Sequence, residues 1–81
     1  MINIILYMIL KSKNNNQIIY SFGIDREHLD GEFKIDLDDI LNSKIIKSSK
    51  FIPDRMDMKA LITLLRKVKN NDLEDFEYFQ S

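Results

Sequence analysis

His28 is the only histidine in a chain of 81 residues that contains no cysteine. It is therefore the first residue to test for acid–base or metal chemistry. A histidine acting as a base or a ligand needs partners that orient it. His28 lies instead in the polar run Asp25-Arg26-Glu27-His28, which reads as a solvated turn. Asp36, Asp38 and Asp39 form a small acidic cluster that could hold a divalent cation. The calcium-loop pattern also requires a glycine and further ligands at defined offsets, and these are missing. Capping and solvation account for the three aspartates, so no metal and no cofactor is expected. The serines have no relay except through His28, and two glycines cannot build a phosphate loop. The chain reads as non-enzymatic.

Lys44, Lys47 and Lys50 recur every three residues and, with Arg66, Lys67 and Lys69, could meet phosphate. No aromatic residues interleave with them, and the sequence pI is about 5.7. Both facts argue against nucleic acid as the partner.

The tail is more suggestive. Asp72, Glu74, Asp75 and Glu77 alternate closely with Phe76, Tyr78 and Phe79. Aromatic side chains supply desolvated anchors, and carboxylates steer the encounter with a basic surface. These seven residues form the candidate partner-binding set. The partner expected is another protein, such as a basic toxin or nuclease that this chain would neutralise as an inhibitor, immunity protein or antitoxin.

The elements that must position these residues begin with an N-terminal strand, about residues 2–10. It is apolar on both faces, with Asn3 its only polar residue, so both faces need cover. Residues 17–24 form a second strand, joined to the first by the polar, Asn-rich turn 11–16. Pairing even with even residues gathers Ile2, Ile4, Leu6, Met8, Leu10, Ile18, Tyr20, Phe22 and Ile24 on one strongly apolar face. It leaves Ile5, Tyr7, Ile9 and Ile19 on a mixed face. Those four are the candidate interface of an alternative reading, in which a second copy pairs through the sheet to make a homodimer or regulatory oligomer.

Residues 32–37 alternate cleanly and read as a third strand after a turn at 25–31. Asp36 to Asn42 suits a short helical turn. Residues 44–49 suit a fourth strand at an edge that lysine would protect. One main helix is expected over about 54–69, capped by Asp54, with Met58, Leu61, Ile62, Leu65 and Val68 as its apolar stripe and Leu64 widening it. Residues 72–80 fit either a short helix or a strand.

The resulting fold class is α+β: one domain, 1–81, with a small antiparallel sheet of three or four strands against one helix. Charge is segregated along the chain: +2 over residues 1–24, −5 over 25–43, +6 over 44–69 and −4 over 70–81. The N-terminal run lacks a preceding positive charge and a small-residue cleavage site, and it is too short to span a bilayer, so a cytoplasmic location is expected. Ile, Lys and Asn supply 29 of the 81 residues, a bias expected of an AT-rich bacterial, phage or mobile gene.

Overall fold

The computed structural model describes residues 4–50, 52 and 55–80. Within them, β1 (Ile5–Lys13), β2 (Gln17–Gly23), β3 (Gly31–Asp36), β4 (Lys44–Lys47) and β5 (Phe76–Gln80) form one sheet. A 3₁₀ turn (Ile40–Asn42) precedes β4, and the helix α1 (Met56–Lys69) precedes β5. The strand order is β4-β3-β2-β1-β5, and every neighbouring pair is antiparallel. The α+β class is as expected, with a fifth strand beyond the three or four anticipated. The tail is that fifth strand: it returns after the helix and pairs with β1.

The first hairpin closes within the expected 11–16 stretch, but β1 runs on to Lys13, beyond the expected end at residue 10, so that only residues 14–16 turn. The Asn14 Oδ1 accepts from the Asn16 and Gln17 N–H groups at 2.8 and 2.9 Å, an Asx turn. Met8 lies opposite Phe22 and Leu10 opposite Tyr20, the even-with-even register. A bulge between Leu10 and Ser12 then shifts the end of β1 by one residue. Leu6, Met8, Ile18, Tyr20, Phe22, Phe33 and Ile35 thus share one face, and α1 lies across it.

Phe22 and Phe33 stack in parallel at 4.0 Å between centroids. Gly31 is the cross-strand partner of Phe22 and belongs to β3, whereas the sequence reading put it in the turn. The Phe22 ring folds over it so closely that a Cβ at Gly31 would lie 2.4 Å from the ring. Glycine is required there to admit the ring.

Helix α1 buries Met56, Ala60, Leu61 and Leu64, while Met58 and Ile62 face outward. Of the expected stripe, Leu61, Leu64, Leu65 and Val68 lie in or against the core, Met58 and Ile62 do not, and Met56 and Ala60 take their place. Residues 56, 60 and 64 form an i, i+4 row, and small Ala60 lets the helix axis approach the sheet. The expected cap Asp54 lies outside the described residues. The helix ends at Asn70, followed by Asn71 in the left-handed conformation (φ 55°), which lets the chain reverse toward β5. No helix among the described residues is long and apolar enough to cross a membrane.

Candidate functional site

The strand β5 separates the seven tail residues into two groups. Its pairing sets Phe76 against Ile9, Glu77 against Met8, Tyr78 against Tyr7 and Phe79 against Leu6. Met8 and Leu6 face the helix, so Glu77 and Phe79 turn inward with them. Phe79 packs against the core. Glu77 is only 5 % exposed. Its carboxylate accepts from Lys67 Nζ at 2.8 Å and from the Glu74 N–H at 2.9 Å. The bond to Glu77 raises the pKa of Lys67. Tyr20 completes the fixture by donating its hydroxyl to the Glu74 carbonyl. Burial pushes the Tyr20 phenol well above the ordinary tyrosine range, and Glu77, Asp75 and Glu74 push it further. Glu77 and Phe79 thus anchor β5 to the sheet and helix, and are turned away from any partner.

Phe76 and Tyr78 point to the opposite, open face, 40 % and 61 % exposed. There they meet Tyr7 and Ile9, two residues of the alternative interface set. The rings of Tyr7 and Phe76 lie 6.3 Å apart between centroids. Arg26, reaching across from the β2–β3 turn, holds its guanidinium 5.7 Å from the Tyr7 ring and 5.5 Å from the Phe76 ring. This is cation–π distance to both. Parts of the two candidate sets of the sequence reading therefore share one surface, Tyr7 and Ile9 with Phe76 and Tyr78, because β5 pairs with β1. Spacing alone hides this: the two strands stand more than sixty positions apart in the chain.

Ile24, expected on the helix-side face, lies past the end of β2 and is exposed instead. With Ile5 it extends the apolar surface around a shallow hollow beside Tyr7, which continues into one lined by Asp25, Arg26 and Glu27. Asp72, Glu74 and Asp75 are exposed in the segment that leads into β5. The Asp75 carbonyl accepts from the Leu10 N–H at 2.7 Å, so these acids sit at the Ile9 end of the patch. Asp25 and Glu27 stand at the other end, beyond the Tyr7–Gly23 pair. The aromatic patch is thus bracketed by carboxylates along the strand direction. Ile19, the fourth residue of the alternative set, is buried. Its cross-strand neighbours are Ser12 and Lys34, and a lysine stem covers apolar surface while its ammonium stays in water.

The other half of the open face is basic. A register shift in β4 brings both Lys44 and Lys47 to this side, opposite Lys34 and Glu32. Lys11 pairs with Glu32. The Glu32 carboxyl is held below the usual carboxylate range, first by its bond to Lys11 and further by the charges of Lys11 and Lys47.

The residues first tested for chemistry have local roles. His28 bridges back to Asp25 in the exposed turn, and its Nδ1 lies 2.7 Å from the Glu27 carbonyl. Asp36 accepts from the Asp38 and Asp39 N–H groups, both at 3.0 Å, and caps the turn. Asp30 accepts from the Ser49 hydroxyl and the Lys50 N–H, tying down the segment after β4. Among the described residues no three His, Asp or Glu side chains gather as a metal site. No protein-family model, curated protein or solved structure matches the chain.

Proposed function

We propose that this chain is a small non-catalytic protein-binding domain of the inhibitor, immunity or antitoxin type. It masks another protein with the open β1–β5 face. The observation that carries the reading is the patch of Tyr7, Ile9, Phe76 and Tyr78, in which Arg26 stacks on the Tyr7 and Phe76 rings while Ile9, Phe76 and Tyr78 stay exposed. Large aromatics and arginine are the residue types that dominate binding energy at protein interfaces. An apolar surface of this kind on a small domain is a mark of an interaction site.

The carboxylates bracketing the patch favour a basic target such as a nuclease, because they steer the encounter and penalise acidic competitors. A cysteine-free chain suits the reducing cytoplasm, and the AT-rich bias suits a bacterial or mobile gene.

Affinity capture from the source cell with tagged wild-type chain, beside the Phe76→Ala/Tyr78→Ala variant, tests the reading. The expected result is a basic partner recovered by the wild type and lost with the variant. The purified partner then loses its activity on stoichiometric addition of the chain. Equal recovery by both forms would remove the patch from the account. A partner that keeps full activity in the complex would remove inhibition.

A further inference from the structure

The two edges of the sheet are finished differently. The β4 edge is four residues long, carries Lys44 and Lys47, and has an irregular register. These are the devices that block pairing with another strand. The β5 edge, Phe76-Glu77-Tyr78-Phe79-Gln80, has no lysine, no proline and an unbroken register with β1. Its one charge, Glu77, points to the helix side and pairs with Lys67 of the same chain.

The bond from the Leu10 N–H to the Asp75 carbonyl fixes which backbone groups face β1. In an antiparallel ladder, hydrogen-bonded and non-bonded pairs alternate. Asp75, Glu77 and Phe79 therefore bond to β1. The N–H and C=O groups of Phe76, Tyr78 and Gln80 point outward, and no strand among the described residues takes them up.

We infer that the β5 edge pairs antiparallel with β5 of a second copy about a two-fold axis at Tyr78. In this register Tyr78 faces Tyr78 of the other copy, and Phe76 faces Gln80 on each side. All the outward groups are then satisfied by about six hydrogen bonds. Charge disfavours the registers shifted toward Asp75. With the axis at Tyr78, Glu77 of each copy faces Phe79 of the other. Sliding the axis by one residue toward Asp75 sets Glu77 against Glu77, and sliding it by two sets Glu77 against Asp75. Like charges directly opposite destabilise a strand pair.

The pairing is closed, because the lysine-bearing β4 edges then stand at both ends of a continuous sheet and stop further growth. The open faces of the two copies also adjoin, so that the two aromatic patches become one surface across the axis. This inference does not depend on the inhibitor reading.

The test is sedimentation equilibrium on the full chain, up to about 1 mM, with Tyr78→Glu, Tyr78→Lys and their equimolar mixture. Tyr78 is 61 % exposed, so both variants keep the fold, checked by circular dichroism. Wild type is expected to form a dimer. Each variant should dissociate at least about tenfold more readily, since like charges meet at the axis. The mixture should regain the dimer mass. Amide exchange of the dimer should protect the N–H groups of Phe76, Tyr78 and Gln80, and in the Tyr78→Glu monomer those of Phe76 and Gln80 should exchange fast while Glu77 and Phe79 stay protected.

A wild type that stays monomeric overturns the inference. So does a Tyr78→Glu chain that dimerises as well as wild type, or a mixture that fails to regain the dimer. Arg26→Ala lies off the edge and should leave the dimer intact while weakening partner capture, so the two readings fail separately.

Discussion

The two faces of the sheet use the same strands for opposite ends. The helix-side face buries Leu6, Met8, Tyr20, Phe22, Phe33 and Ile35. Among the described residues, it leaves no buried side-chain polar atom without a partner. The open face carries aromatic residues as large as those of the core, yet leaves Phe76 and Tyr78 in water. Apolar burial contributes roughly 25 cal/mol per Å², so the covered face sets the stability. The open face contributes little to folding and is free to contribute to binding. Strand β5 makes the contrast within five residues: Glu77 and Phe79 are structural, and Phe76 and Tyr78 are presented.

The sharpest way to break this contrast is from the covered side. Phe33→Ala removes a fully buried ring stacked on Phe22 and should cost about 3–5 kcal/mol in urea unfolding. For a domain of this size that approaches the whole stability.

Glu77→Ala comes next. It removes the carboxylate that holds Lys67 and the Glu74 N–H, and should cost about 1–3 kcal/mol in urea unfolding. A loss this large would mark Glu77 as a structural residue. Unchanged stability would return it to the exposed, partner-facing group.

Tyr20→Phe should cost about 1 kcal/mol through the lost bond to the Glu74 carbonyl. It also has a signature in pH. The phenol of the unfolded chain ionises near about pH 10, while burial holds the folded phenol neutral to higher pH. Above that point the unfolded state binds fewer protons, so stability falls as pH rises. Lys67, raised by Glu77, loses its stabilising bond in the same alkaline direction. Urea midpoints across about pH 9–11 should fall steeply in the wild type and less steeply in Tyr20→Phe. Equal slopes would mean that Tyr20 is not the coupled group.

The smallest stability effect belongs to the open side. Phe76→Ala should cost less than about 1 kcal/mol, the value of one cross-strand pair and a partly exposed cation–π contact. A loss matching that of Phe33→Ala would erase the distinction between the faces.

Much of this contrast can be read in the residues, and the remainder fails for physical reasons. The even-with-even register follows from alternation, because a slip by one residue would expose every core side chain of β1. The open face with Ile5, Tyr7 and Ile9 follows from the same step. Of the helix stripe, Leu61, Leu64, Leu65 and Val68 are legible, whereas Met58 and Ile62 are apolar but face water, and Ala60 carries no strong hydropathy signal yet makes the close contact. The tail is ambiguous in sequence because Leu73, Phe76 and Phe79 keep helical spacing while Phe76 and Tyr78 alternate. Long-range pairing with β1 decides between them, and no local pattern encodes that. The role of Glu77 is hidden in the sequence for the same reason, since its partner Lys67 becomes a neighbour only after the chain reverses at Asn71.

The most direct test of the account measures stability and binding on one variant, Phe76→Ala/Tyr78→Ala. Urea unfolding and partner capture are read on the same preparation. The expected result is a stability within about 2 kcal/mol of wild type together with at least about a hundredfold weaker binding of the captured partner. A variant that unfolds as Phe33→Ala does, or that binds the partner undiminished, would contradict the claim that the open β1–β5 face exists for recognition.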